Sequence, residues 1–230
     1  MKALAVDTSI SKISLAAWNE DTHASLIIQA DLKQSEKLVP AIEYVLEQAK
    51  LDVKDIDFLA VALGPGTFTG LRLGISALKA ISLATGAPLY GIPTLDAYQP
   101  PFSEYSGTIV PVIDAKKERF YLSVWRGGVK SVEDSDLSAE EALKLIDPEE
   151  HILLVGDDAP LFKEKILEIR PLQKCAVFSG SLCIADQLIV MADKLHKAGA
   201  KPLQDYDGPV YIRKSEAEEN RVCNEAKSTK

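Results

Sequence analysis

Two aspartates stand at the ends of short apolar runs. Asp7, in Asp7-Thr8-Ser9, follows Ala3–Val6, and Asp114, in Asp114-Ala115-Lys116, follows Thr108–Ile113. Between two lobes, carboxylates at such strand ends can hold Mg²⁺ or orient a nucleophile or water for phosphoryl transfer. Turns that handle phosphate usually carry glycine, so that the backbone can come close to the anion. Ser9 and Lys116-Lys117 occupy those places, which makes a plain strand-end turn with Asp as local acceptor the preferred reading. A third candidate is Gly64-Pro65-Gly66-Thr67-Phe68-Thr69-Gly70, set between a buried apolar run and a helical pattern. Free N–H groups at a helix start can receive an anion. Asp7, Gly64, Gly66, Thr67 and Asp114 are therefore the candidate anion or nucleotide contacts. Leu71-Arg72 stands where a phosphate-binding P-loop would carry Lys-Ser/Thr, so a tight turn needing glycine for close backbone approach is preferred here too.

Other chemistries find little support. His23, His151 and His196 are far apart, and none is spaced i, i+4 from another. Cys175, Cys183 and Cys223 are odd in number and form no CxxC pair. No metal site, zinc knuckle, disulfide framework or Ser/His/Asp triad can be built from these spacings, so no catalytic residue is assigned. The cysteine usage fits a reducing cytoplasm. The chain has 230 residues, 47% of them hydrophobic, and a formal charge of −8. That acidity opposes a protein whose main task is gripping phosphate backbone by itself, since such affinity is largely Lys/Arg neutralisation of phosphates. No run approaches the ~18 apolar residues of a membrane span, and Asp7 interrupts the apolar start before a signal-peptide core could form.

The elements that must position these residues follow from hydrophobic period. Ala3–Val6, Ile13–Ala17 and Ala24–Ala30 predict three strands of an antiparallel meander. Leu38, Ile42, Val45 and Ala49 mark one face of an amphipathic helix with Ser35 as N-cap and Pro40 near its first turn. Phe58–Leu63 predicts a strand covered on both faces, followed by a helix over Leu71–Ala84, a strand at Pro88–Ile92 and a short helix from Thr94 to Ala97. After a linker at Pro100–Ser103 the same grammar restarts. Strands are expected at Thr108–Ile113, Phe120–Trp125, Val129–Val132 and Ile152–Val155, and helices over Ser138–Ile146, Pro160–Ile169 and Leu182–Lys197. The segment from Ser215 to Lys230 is polar and expected to fray. Domain bounds are placed at 1–103, 104–207 and 208–230. The repeated strand–Asp turn–strand–strand–helix order suggests an internal duplication. It resembles the α/β, two-lobed actin/Hsp70/sugar-kinase (RNase H-like) architecture, with mixed sheets and a reduced second lobe.

The helix over 71–84 is apolar almost all round, its only charges being Arg72 and Lys79 on one stripe. Such a helix must be buried almost all round. Either a subunit interface or cover by another part of the chain meets that need.

Five stretches carry a closer resemblance: ALAVDTS at the N-terminus, QSEKLVPAI at 34–42, GPGTFTGLRLGISALKAISLA at 64–84, IDAKKERFY at 113–121 and PVYIRKSEA at 209–217. Together they are similar to the TsaB (YeaZ) family, the partner subunit in bacterial tRNA threonylcarbamoyladenosine (t6A) synthesis. The resemblance implies a non-catalytic scaffold or activator. It would pair with a catalytic TsaD-type paralogue that transfers threonylcarbamoyl to N6 of adenosine 37 in ANN-decoding tRNAs. The metal-binding His pair of that paralogue has no counterpart between Asp31 and Lys50, and Gln34 replaces a His found in many family members. The first two helices would form a bundle with the paralogue, or with a second copy of this chain when alone. Leu38, Ile42, Val45, Leu71, Gly74, Ile75, Leu78 and Ile81 are the expected interface residues. Gly156-Asp157-Asp158 looks like the remnant of an adenosine pocket. A TsaE-type ATPase is a further implied partner. No cofactor is expected on the chain alone; ATP/ADP and metal would come through partners, and tRNA contact would be indirect. An autonomous small-molecule kinase or ATPase using Asp7 and Asp114 is the alternative, and a peptidase a poorer one.

Overall fold

A computed structural model describes residues 1–180 and 182–213. Ser181, the tail from Ser215 with Cys223, and the last residues of the PVYIRKSEA stretch lie outside them. Two five-stranded mixed sheets carry the fold. The first contains β1 (Lys2–Asp7), β2 (Lys12–Asn19), β3 (Thr22–Gln29), β4 (Phe58–Gly64) and β5 (Leu89–Pro93) in the order β3-β2-β1-β4-β5. The second contains β6 (Thr108–Asp114), β7 (Arg119–Arg126), β8 (Val129–Ser138), β9 (Ile152–Val155) and β10 (Cys175–Val177) in the order β10-β9-β6-β7-β8. In each, the first strand pairs antiparallel with the second and parallel with the fourth. The duplication reaches the backbone: Gly64 and Gly156 end the fourth strands at φ of +118° and +114°, a region that favours glycine. This is the two-lobed α/β architecture expected from the order of elements, with β10 added.

Helix α1 (Gln34–Gln48) places Leu38, Ala41, Ile42 and Val45 against the first sheet, and α2 (Phe68–Thr85) adds Leu71, Gly74, Ile75 and Leu78 on the same face. The expected cap at Ser35 is not formed. The helix starts two residues earlier, with Lys33 at the N-cap position, because the Gln34 amide reaches back and donates to the carbonyls of Ile10 at 2.6 Å and Lys12 at 3.1 Å. Those bonds tie its first turn to the β1–β2 loop. Helix α2 likewise starts three residues earlier than the sequence pattern suggests and ends at Gly86, whose left-handed φ of +80° closes the last turn. The segment after Thr94 forms a 3₁₀ turn over Leu95–Tyr98.

In the second lobe, α3 (Ala139–Leu143) starts at a Ser138/Glu141 capping box and α4 (Ala159–Ile169) packs Phe162 and Ile166 inward. Helix α5 (Ile184–Lys197) departs from the expected domain bounds. It returns to the first sheet and covers its second face, with Ile184, Leu188 and Ile189 packed among Ala3, Ala5, Phe58, Ala60 and Ile92. The physical reason is that α1 and α2 occupy only one face. Burying each of α5's large side chains on the other contributes about 1.5–3 kcal/mol. The same cluster takes in Ile109, Ile113 and Val155 of the second sheet, so the lobes share a core.

The C-terminal segment from 203 to 213 is a strap along α2. Its amides at Leu203 and Val210 donate to Leu89 and Leu63. Lys79 Nζ donates to the carbonyls of Gln204, Asp205 and Asp207 at 2.5–2.9 Å. Arg72 lies 3.7 Å above the Phe68 ring and donates to the Tyr211 hydroxyl. The strap ends on the second lobe, where Arg213 grips the Asp136 carboxylate at 2.6 and 2.9 Å and donates to the Ala115 carbonyl at 2.9 Å. Burial pushes the Asp136 carboxyl up, but hydrogen bonds from Arg213 and Arg119 outweigh this and hold it below its usual range. Replacing Arg213 by alanine should therefore loosen the far end of the strap alone. Hydrogen exchange of the Val210 amide should accelerate by about tenfold, while that of Leu203 stays unchanged.

Candidate functional site

The cleft between the lobes gathers the strand-end carboxylates. A cavity of about 520 Å³ is lined by Ile10, Asp31, Leu32, Gln34, Thr67, Thr69, Gly70, Leu73, Ile113, Asp114, Lys116, Asp157 and Asp158, among others. A smaller chamber of about 30 Å³, sharing Ile10 and Asp157 with it, reaches Asp7, Lys12 and Tyr98. Of the expected anion contacts, Thr67 and Asp114 reach the larger cavity and Asp7 the smaller one. Gly64 and Gly66 line neither. A Cβ on Gly66 would sit 2.5 Å from the Ser9 carbonyl oxygen, and one on Gly64 2.5 Å from that of Val210. Their function is close packing, the preferred reading of that loop. Two of its amides are also taken: Thr67 N–H donates to Ser9 O at 2.6 Å and Gly64 N–H to Thr94 Oγ1 at 3.0 Å.

Asp7 is 2% exposed and accepts the Ser9 amide at 2.8 Å. Burial raises its carboxyl above the ordinary range, and the Ser9 hydrogen bonds only partly oppose this. A raised carboxyl is costly to ionise, so this cost to stability grows as pH rises through the unfolded and then the folded pKa. Asparagine can accept the same Ser9 bond without the charge. Asp7→Asn is expected to unfold at a higher urea concentration than the parent at pH 7, the gap closing below about pH 3. Burial also raises Asp158, whose carboxylate accepts the Asp114 amide at 2.8 Å. Lys116 is held by Asp114 at 2.7 Å and Lys12 by Asp157 at 2.9 Å. The Gly156-Asp157-Asp158 turn thus sits at the cleft. No group of three or more His, Cys, Asp or Glu among the described residues could hold a metal ion.

The expected interface residues lie mostly inside the fold. Leu38, Ile42, Val45, Leu71, Gly74, Ile75 and Leu78 are buried within the chain's own core, and only Ile81 is half-exposed. A Cβ on Gly74 would meet Thr8 Oγ1 at 2.5 Å, so that glycine serves an internal contact. These are the most apolar sides of α1 and α2, and the sheet takes them. What faces outward is a different stripe. Because Arg72 and Lys79 are both drawn to the strap, the exposed face of α2 consists of Thr69, Ser76, Ala80, Leu83 and Ala84. Half-buried Leu73, Ala77 and Ile81 flank them, and Val39 and Leu46 of α1 continue the strip. Leu83 is 87% and Val39 57% exposed. An uncharged helix face left open in this way is the fold's candidate for an interaction surface. The sequence signal for it was the lack of charge on α2 outside the Arg72–Lys79 stripe.

Fold and cleft together define a two-lobed α/β protein of the actin/Hsp70/sugar-kinase class, with an open apolar helix pair on its first lobe. Residues 29–218 match the family described as TsaD: tRNA N6-adenosine threonylcarbamoyltransferase, and the chain belongs to that family. Among curated relatives it is similar to the tRNA threonylcarbamoyladenosine biosynthesis protein TsaB of Bacillus subtilis, 26% identical over 74% of this chain and 76% of that one. It is likewise similar to TsaB of Escherichia coli, 24% identical over 94% and 96%. Among solved structures, YeaZ from Pseudomonas aeruginosa superposes with a TM-score of 0.74, at 23% identity, over 91% of this chain and 99% of that one, which establishes the shared fold.

Proposed function

We propose that the chain serves t6A biosynthesis as a non-catalytic subunit. It pairs through the outward face of α1 and α2 with a catalytic TsaD-type paralogue that modifies N6 of adenosine 37 in ANN-decoding tRNAs. The observation that carries this reading is the uncharged, exposed face of α2 next to a cleft whose glycine loop is spent on internal packing. The names of its relatives support the pathway. Pairing activates by population shift: a face that fits the paralogue's active arrangement better than its inactive one favours the former. ATP/ADP and metal enter through the partners, among them a TsaE-type ATPase, and tRNA is left to the paralogue. Alone, the same face pairs with a second copy of the chain. The setting is the cytoplasm; no helix among the described residues is long and apolar enough to cross a membrane. No specific observation favours an autonomous kinase. Depleting the protein and measuring tRNA nucleosides by mass spectrometry tests the proposal. Loss of t6A is expected, and unchanged t6A overturns it.

A further inference from the structure

The cleft is a second feature beside the pairing face, with which its outer chamber shares Thr69 and Leu73. Five carboxylates (Asp7, Asp31, Asp114, Asp157 and Asp158) line its two chambers against two lysines. Both lysines are already held by carboxylates, Lys116 by Asp114 and Lys12 by Asp157. A negative potential is left over in a cavity of about 520 Å³, a volume within the usual range for small-molecule sites. A phosphate brought close to this cluster meets like charges at short range. At 5–6 Å and an effective dielectric near 20, each such pair costs about 3 kcal/mol. Of the glycine-loop amides that could repay it, those of Thr67 and Gly64 are occupied by Ser9 O and Thr94 Oγ1.

Tyr98 points to what the site does accept. It is 3% exposed and lines the inner chamber, and its hydroxyl makes no hydrogen bond to another described residue. The hydroxyl is not one of the sealed polar atoms of the core, so it is open to the chamber and free to hydrogen-bond a ligand there. Burial, followed by the field of Asp7, Asp157 and Asp158, raises the pKa of the hydroxyl well above the usual value. It therefore stays a neutral phenol, able to accept a hydrogen bond from a cationic N–H while the carboxylates supply the counter-charge. The inner chamber, about 30 Å³, has room for a small polar head. The outer one offers Ile10, Leu32, Leu73 and Ile113 to an apolar body.

We infer that the inter-lobe cleft binds a small organic cation, an ammonium or guanidinium on a short apolar chain, with its N–H groups on Tyr98 and the surrounding carboxylates. The site goes beyond the pairing function and does not depend on it.

Agmatine is a suitable probe, titrated into the full chain by calorimetry, with ADP–Mg²⁺ as the anionic comparison. Two variants test the assignment. Tyr98→Phe removes a hydroxyl that no protein group uses, so its urea unfolding should match the parent. Asp158→Asn keeps an acceptor for the Asp114 amide. Agmatine is expected to bind, to weaken with added salt and to lose about tenfold in affinity in each variant; ADP–Mg²⁺ is expected not to compete with it. Absence of agmatine binding, binding equal in parent and both variants, or displacement of agmatine by ADP–Mg²⁺ overturns the inference.

Discussion

Replacing Gly70 by alanine is expected to destabilise the protein by about 3 kcal/mol. Helix propensity predicts the opposite sign, since alanine is favoured over glycine in a helix by about 1 kcal/mol. Packing decides against it. A Cβ at position 70 would collide with the carbonyl oxygen of Thr8 and lie 2.6 Å from Thr67 Oγ1 and 3.1 Å from Gln34 Oε1. The Thr8 oxygen belongs to the backbone of the β1–β2 turn and cannot rotate away. That turn is also held to α2 by the Thr8 hydroxyl, which donates to the Gly70 carbonyl at 2.6 Å. Relief of the clash therefore moves the helix start off the strand-end turn, and both the Thr8 bond and the Gln34 anchor suffer. Gly86→Ala is the control. Nothing lies within 4 Å of a Cβ there, and only the left-handed φ of +80° is strained, a cost of about 1 kcal/mol. Urea unfolding of the two variants should show the midpoint falling about three times as far for Gly70→Ala. Equal shifts would mean that the β1–β2 turn yields, and the close helix–turn contact would then not be what the glycine is for.

The contrast between these glycines shows where sequence reasoning reached and where it stopped. Period-2 and period-3.6 patterns located both sheets and the helices over them, because each buried face writes its spacing into a contiguous segment. Asp7 and Asp114 were legible as equivalent turns for the same reason. The outward stripe of α2 was not. A helix that is apolar on every side carries no phase, so the larger side chains, Leu71, Ile75 and Leu78, suggested the interface although the sheet buries them. The information that resolves the phase sits far along the chain, in the strap that takes Arg72 and Lys79. Irregular backbone such as 203–213 has no period to read, and its value appears only once Lys79 is seen beneath three of its carbonyls. Helix α5 was placed with the second lobe by sequence order alone, whereas the uncovered face of the first sheet claims it. The cleft was half-legible: Asp7, Asp114, Asp157 and Asp158 stood out in the sequence, but nothing there marked Asp31 or Tyr98 as facing it.

Replacing Ala80 by glutamate is expected to abolish pairing through α1 and α2 while leaving the chain folded. Ala80 is exposed on the uncharged face of α2, one turn from Ala77 and Ala84 and on the side away from the sheet-packed Ile75 and Leu78. Glutamate is a good helix former, and at an exposed position it costs the isolated chain only a few tenths of a kcal/mol. In a closed helix–helix interface the same carboxylate is buried without a partner, and small residues that allowed close approach are replaced by a longer side chain. An uncompensated charge at such a contact costs about 3 kcal/mol, roughly a hundredfold in affinity. Ala80→Ser keeps the size and should bind within about threefold of the parent. Size-exclusion chromatography with a TsaD-type partner, alongside circular dichroism and urea unfolding of the chain alone, separates the two effects. A folded Ala80→Glu chain that still forms the complex would move the pairing surface elsewhere. A chain that loses self-pairing and partner-pairing together would show that one face serves both.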